Sequence, residues 1–481
     1  MNLLIFPNNL YEIKYLPKDI ECVYLIEDPV FFGEREIKMK FNKLKLQLHR
    51  STMKYYENYL KDKKIKSKYY EYKDVKSKKY SFIKKLKNVS YFELNDYYLQ
   101  KKLKFLKEAK IIENPNFLLK TSDLLEYHSS KKIKNKFFHK NFYDFVKDKL
   151  GILEKTKSYD MDNRNAIPKD LKIPDLPNDK QYKYEKEAKD YIEKLFPKNY
   201  GNTDNLIYPI THSDSKRWFT NFMKNRLDKY GTYQDAILEE NGFTFHSIIS
   251  PMMNCGLLNP DYVIDEITEY FNKNKKKVGM NNYEGFVRQV IGWREYQRYC
   301  YLFAYDDLVS KNIFKNNRKL NSKWYNGTTG IKIIDDCIKF GFKYGYLHHI
   351  IRLMVMSNFM NLVNLKPIEC YKWFMEFSVD SYDWVMIQNV YSMGQWSDGG
   401  LTMRKPYISS DNYILNMSNY KKDEWCKIWK SLYYNFLTNH ENELKKTPYI
   451  RNLSHWKKMS KKDQEDILKL SKKTIKDLTK A

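Results

Sequence analysis

The sequence predicts an N-terminal doubly wound α/β domain built on a parallel sheet, followed by a large all-α domain. Three observations carry this. Over residues 1–130, short apolar, β-branched or aromatic runs alternate with amphipathic stretches. Residues 131–205 are rich in Lys, Asp, Asn and Pro and read as a connector. From about Arg217 to the end, within a domain spanning 206–481, apolar positions recur with helical spacing almost throughout. Strands separated by helices build a doubly wound sheet, and periodicity is the primary signal separating the two halves.

In the first segment, Leu3–Phe6 and Cys22–Ile26 have the unbroken apolar character of strands covered on both faces. Phe41 to Arg50, continuing through Met53, Tyr56 and Leu60, has helical spacing. Further strands are predicted near Lys68–Tyr72 and Val89–Leu94, and a helix from about Tyr97 to Lys107. No Gly-rich phosphate fingerprint accompanies these strands, which argues against an ordinary dinucleotide site. The connector, with its Ile173-Pro174-Asp175-Leu176-Pro177-Asn178 stretch, has room for one or two helices. In the second half, periodic segments cover 217–228, 246–271, 283–304, 331–363, 367–378 and 424–439, with Gly and Pro in the gaps. The lysine-rich tail, 456–481, reads as a surface helix.

At 481 residues the chain is long enough for two or three cores. No run of about eighteen uncharged apolar residues occurs, so no membrane span is expected. The opening Met1–Asn9 lacks the basic start and long apolar run of a signal peptide, which makes an intracellular location the default. Lys and Arg number 86 against 59 Asp and Glu, a net charge of +27. Such a surplus suits a polyanion, because each basic group near a phosphate releases counterions. An AT-rich genome, which enriches Lys, Asn, Tyr and Ile, would give the same surplus as solvated surface. The six cysteines, Cys22, Cys255, Cys300, Cys337, Cys370 and Cys426, include no C-x-x-C pair and read as isolated thiols in cores.

Aromatic residues make up 16% of the chain and crowd its second half beside arginines: Trp293, Trp324, Trp373, Trp384 and Trp396 interleave with Arg288, Arg294, Arg352 and Arg404. Core packing accounts for any one of them; the concentration suits a flat cofactor and stacked bases. Three segments say more. They are Glu284–Tyr296 (EGFVRQVIGWREY), Tyr346–Met354 (YLHHIIRLM) and Val379–Val390 (VDSYDWVMIQNV), the last leading to Ser397–Gly400 and Lys405–Ile408.

With these segments the chain resembles the flavin-binding domain of photolyases. The resemblance is to the branch of deoxyribodipyrimidine photolyase-related proteins that includes the bacterial (6-4) photolyases. It extends over nearly the whole chain: Phe6–Leu10 and Glu27–Phe32 match the N-terminal domain, Tyr159–Arg164 the connector, and Phe245–Pro251 with Asn254–Leu258 the first flavin-domain helices.

The resemblance implies FAD, folded back on itself, in the all-α domain. It places His246, Ser247, Arg288, Trp293, Arg352, Asp380, Met386 and Asn389 at the cofactor. Arg352 and Asp380 look like the charge pair beside the flavin ring, where positive charge stabilises a reduced, anionic flavin. For the residue facing flavin N5, spacing from Asp380 points to Met386 and chemistry to Asn389. Lesion chemistry falls on His349, Tyr407 and Tyr413. An imidazole can deliver and recover a proton near neutral pH, and the tyrosines would line the pocket for a flipped dinucleotide. Trp373 matches the flavin-proximal member of a photoreduction chain, with Tyr325 and Tyr382 in relay-like positions and Phe374 a poor relay, since benzene rings resist oxidation. The bacterial (6-4) relatives carry a four-iron four-sulfur cluster on four cysteines. The matching positions here are Ile333, Lys421, Glu424 and Lys427, so no cluster is expected. A ribityl-lumazine antenna in the N-terminal domain is implied, with Asn8, Asn9 and Glu27 at strand ends.

The expected function is therefore light-driven electron donation from reduced FAD to a pyrimidine dimer in UV-damaged DNA, by a monomer, with no net redox change. His349 favours the (6-4) photoproduct slightly over the cyclobutane dimer. The alternative is a cryptochrome-like blue-light photoreceptor without repair activity.

Overall fold

The computed structural model describes residues 1–154, 157–177 and 182–481, so Asn178 of the proline-rich stretch lies outside the described residues. Five parallel strands form the N-terminal sheet: β1 (Asn2–Ile5), β2 (Cys22–Ile26), β3 (Ser67–Tyr70), β4 (Val89–Phe92) and β5 (Lys110–Ile112). Their spatial order is β3-β2-β1-β4-β5, a doubly wound arrangement that reverses direction at β1. The two central strands β1 and β2 are buried at every position, which is why they read as continuous apolar runs rather than alternating ones. β5, with the exposed Lys110 and Ile111, is an edge strand whose short polar-flanked sequence gave no strand signal.

The helix α1 (Lys43–Asp62) joins the two halves. Its N-cap Asn42 accepts a hydrogen bond from Leu44 N at 3.0 Å, while Asn42 Nδ2 donates to the carbonyls of Phe342 and Phe377 at 3.0 Å each. One side chain thus caps α1 and ties it to the helical domain. The connector supplies two helices, His139–Leu150 and α2 (Tyr182–Leu195), the latter packed along α1. Beyond it the chain is helical, as the periodicity predicts, with the 246–271 segment divided into Ser250–Cys255 and Pro260–Lys273. The break is Gly256, at φ +90°; a Cβ there would lie 2.7 Å from the Tyr11 ring and 2.9 Å from Leu10 N. The missing side chain lets the first strand's exit loop dock, and Leu10 N donates to Cys255 O at 2.9 Å.

The tail departs from a plain surface helix. Helix Lys461–Leu478 buries Ser471, Thr474 and Leu478 against Glu424–Asn439, and Thr479–Lys480 pairs antiparallel with Lys319–Leu320. Leu478 O accepts the indole N–H of Trp324 at 2.8 Å. Ser and Thr on the buried stripe hid this face from a reading of apolar residues alone.

Gly256→Ala should destabilise the protein by about 2–3 kcal/mol, combining a left-handed backbone with a clash against Leu10 and Tyr11. Denaturant unfolding of the two proteins measures this, and a midpoint unchanged by the substitution contradicts the docking role.

Candidate functional site

Three helical stretches in the C-terminal half are wound as π-helix: Arg288–Arg294, Ile351–Ser357 and Ile387–Gly394. The first interrupts an α-helix, the second opens one and the third closes one, and each presents side chains to the same cleft: Gln289, Val290 and Trp293 from the first, Arg352, Leu353 and Ser357 from the second, Asn389, Val390 and Met393 from the third. A π turn widens the backbone and re-aims side chains, and is frequent at functional sites. The last two stretches touch where a Cβ on Gly394 would lie 2.1 Å from Ser357 Oγ, an approach only glycine permits. The cleft holds about 1350 Å³ of space between its walls, mouth included. Its fourth wall is the turn before helix Ser250–Cys255, where Ile248 sits at φ +55°. A β-branched residue in the left-handed region is strained, and such strain clusters at ligand sites.

Arg352 and Asp380 meet on the cleft wall as the sequence predicts. The contact is two-pronged, Nη1 to Oδ1 at 2.9 Å and Nη2 to Oδ2 at 3.1 Å. Ser250 Oγ donates to Oδ2 at 2.6 Å, Ser378 Oγ donates to Oδ1, and Asn254 Nδ2 donates to the Asp380 carbonyl at 2.8 Å. Burial works to raise the Asp380 carboxyl, but the guanidinium and the hydroxyl donors outweigh it and hold it below the usual carboxylate range. Arg352 is thus a fixed cation at the wall of a largely apolar cleft.

His246, Ser247, Trp293, Met386 and Asn389 also line the cleft. Trp293 is held flat by stacking on His139, with ring centroids 3.8 Å apart. Asn389 has its amide engaged within the protein: Oδ1 accepts from Gln297 Nε2 at 3.0 Å and Nδ2 donates to Val385 O at 2.7 Å. Arg288 is placed differently. It is buried at the start of the first π segment and donates to Ser158 Oγ of the connector at 2.9 Å, outside the cleft lining.

Three histidines gather at one end. His246 and His348 stack at 4.6 Å, with His349 edge-on to His246 at 5.3 Å. His246 Nε2 lies 3.1 Å from Gln234 O, and among the described residues neither ring nitrogen of His348 has a hydrogen-bond partner. Burial first, then the neighbouring imidazoles, push both far below the ordinary histidine range, so these two stay neutral. His349 alone is open to solvent, its side chain 42% exposed and its Nε2 3.4 Å from Asp235 Oδ1. Tyr413, on helix Asp411–Met417, is half-buried and feels the Asp235 charge. Tyr407 is half-buried nearby in sequence, and neither tyrosine reaches the cleft lining.

The relay candidates sit behind the wall. Phe374 lines the cleft, and fully buried Trp373 lies edge-on behind it at 5.2 Å. Tyr325 donates to Glu376 Oε2 at 2.7 Å. Tyr382 is buried against the α/β domain, its hydroxyl 2.9 Å from His49 Nε2. Where the cluster-bearing relatives would place their first cysteine, Ile333 is buried, and Trp425 packs edge-on against Trp429 at 6.2 Å. In the N-terminal domain, both oxygens of Glu27 are engaged: Arg50 and Tyr69 donate to Oε1 at 3.0 and 2.6 Å, Tyr72 N and Tyr191 to Oε2 at 2.9 and 3.0 Å. A pigment seated on Glu27 would have to displace one of these donors.

The cleft fits a flavin: apolar walls for a flat ring, one carboxylate–guanidinium pair and scattered amides for its polar edge. Asp235 was not foreseen, while Phe374, read from the sequence only as a poor relay, and Ile248, read only as part of the Phe245–Pro251 match, line the cleft itself. No local pattern marks Asp235, while glycines inside helical periodicity, at 292 and 394, were available signals for the distorted helices.

Comparison with known proteins agrees with this geometry. Residues 3–208 match the family model of deoxyribodipyrimidine photo-lyase-related protein, and residues 284–427 match the FAD binding domain of DNA photolyase. A (6-4) photolyase of Agrobacterium fabrum is 33% identical over 345 residues, 68% of each chain. An uncharacterized protein of Acanthamoeba polyphaga mimivirus is 54% identical over 123 residues, 25% of this chain and 98% of that one. In fold, a Synechocystis cryptochrome superposes with a TM-score of 0.59 at 14% identity, covering 97% of this chain and 93% of that one. A class III photolyase of Agrobacterium tumefaciens gives 0.54 at 15% identity, with 86% of each covered. The chain therefore belongs to the photolyase/cryptochrome superfamily, in the branch of deoxyribodipyrimidine photolyase-related proteins.

Proposed function

We propose that the chain is a light-driven, FAD-dependent DNA photolyase that repairs UV pyrimidine dimers, with the (6-4) photoproduct slightly favoured over the cyclobutane dimer. The observation that carries this reading is the cleft with the Arg352–Asp380 pair on its wall and the solvent-open His349 at its end. When bound, FAD supplies the light absorption and the single electron that such repair requires. Arg352 sets a positive charge beside the ring position, and Asp380 with its serine donors keeps that guanidinium from turning away.

His349 is the proton carrier of the trio. It alone of the three reaches solvent, and its Nε2 lies 3.4 Å from Asp235 Oδ1, a partner within reach of its ring. The neutral His246–His348 stack gives its ring a fixed apolar back wall. Tyr413, which feels the charge of the Asp235 that meets His349, and Tyr407 are proposed to receive the lesion, and the basic surplus of the chain suits a DNA partner. The chain is proposed to work as a monomer without an iron-sulfur cluster. Among the described residues no helix is long and apolar enough to cross a membrane. A lumazine-type antenna is retained as a proposal for the N-terminal domain, at a place other than the filled Glu27 position.

Illumination of reduced, flavin-loaded protein with each lesion should remove (6-4) photoproducts. Loss of neither lesion would favour a light sensor. His349→Ala should slow (6-4) repair by about 100-fold or more while FAD stays bound; unchanged repair contradicts the role of His349. Asp380→Asn leaves Arg352 without its charge partner, at a cost of about 3 kcal/mol. It should purify with sharply reduced flavin absorbance, and full retention would separate the pair from cofactor binding. Iron analysis should find none, and four irons per chain would overturn the cluster-free reading.

A further inference from the structure

From the cleft a run of aromatic rings leads outward. Phe374 stands on the wall and Trp373 lies behind it at 5.2 Å. Phe342 is 6.1 Å from Trp373 and 6.0 Å from Tyr325, and Tyr325 stacks on Tyr200 at 4.2 Å. A second route joins the same residues: Trp373 Nε1 donates to Trp324 O at 2.8 Å, one peptide unit from Tyr325. Tyr325 and Tyr200 are both half-buried, so the run ends at the edge of solvent.

Tyr325 is a phenol where an indole would pass an electron without giving up a proton. A phenol that loses an electron becomes a strong acid, so in an apolar site it needs a base within hydrogen-bond reach. Glu376 meets that need. The residue is 1% exposed; Oε2 accepts from Tyr325 at 2.7 Å and Oε1 from Lys40 N at 2.8 Å. Its two hydrogen-bond donors are a phenol and a backbone amide, and the charge of Lys372 offsets its burial only in part. Burial pushes its carboxyl up, so its carboxylate binds a proton more tightly than a solvated one.

We infer that Tyr325 and Glu376 form one proton-coupled electron donor that refills Trp373. This rests on the proposed flavin photochemistry, with photoexcited oxidised FAD as the oxidant. An electron leaves Trp373 for the flavin, and the indole becomes a radical cation. Tyr325 returns one electron to the indole while its O–H bond breaks, and the proton bonds to Glu376 Oε2. Trp373 is restored, Tyr325 is a neutral phenoxyl radical, Glu376 is a neutral acid, and the flavin holds one more electron. The step turns a separated cation and anion into two neutral groups, which a low-dielectric interior favours. Glu376 is a positioning residue for the ground state and the proton acceptor of this step.

The test is transient absorption and spin resonance on flavin-loaded protein, with light-minus-dark infrared spectra for the carboxyl. The unaltered protein should form a tyrosyl radical, slowed in heavy water, together with a new protonated-carboxyl band. Glu376→Gln keeps an oxygen acceptor but takes no proton. It should slow tyrosyl formation by roughly 100-fold, abolish the carboxyl band and leave the tryptophanyl radical standing. Tyr325→Phe should do the same with Glu376 intact. A tyrosyl radical formed in Glu376→Gln at the original rate, or one that survives in Tyr325→Phe, overturns the inference. Flavin-loaded protein that shows radicals yet repairs no lesion rejects the repair reading alone, whereas protein that binds no flavin rejects both.

Discussion

The buried carboxylate of Asp380 is the tie on which the cleft depends. It is engaged by a guanidinium from the second π segment, a hydroxyl from helix Ser250–Cys255 and a hydroxyl two residues before it, while its carbonyl holds Asn254. Asn254 in turn accepts from Arg294 Nη1 at 2.5 Å, at the end of the first π segment. One anion thereby fixes the relative positions of four stretches of chain. Such a site is intolerant of partial loss, because each partner left behind is a desolvated polar group.

The same economy joins the two halves. Asn42 reaches into the helical domain, Tyr15 donates to Asp261 at 2.7 Å, and Arg35 lies between Asp96 of the sheet domain and Asp383 of the helical one. Lys45, buried beside Tyr382 and donating to Ser381 O at 2.5 Å, has its ammonium pushed down to about 7 by burial and by Arg35. The contacts of Lys45 and Arg35 reach Ser381 and Asp383, close in sequence to the cleft residue Asp380. The α/β domain therefore serves as the floor against which the 379–390 stretch is braced.

Much of this was legible beforehand. β2 and the segments 367–378 and 424–439 were bounded to within a residue or two, since unbroken apolar runs and strong 3.6-residue periodicity leave little choice. The Arg352–Asp380 pair was legible through family resemblance, and its contact geometry only through the fold. What escaped has a physical reason in each case. β5 is three residues of edge strand, the tail helix packs through Ser and Thr, and Arg288, placed at the cofactor by resemblance, donates instead to Ser158 of the connector. Asp235 meets His349 across 114 positions of chain, which no local pattern records.

The three π segments carry one further consequence. Each closes its hydrogen bonds one residue later than an α-helix does, so each amounts to a single surplus amino acid tucked into a helix. The hollow that receives a ligand is thus set by chain length as much as by side-chain choice. Deleting one residue from any of the three would let that helix relax to ordinary winding and rotate every later side chain by about 100°. A family alignment that treats such one-residue offsets as noise would erase the feature that opens the chamber.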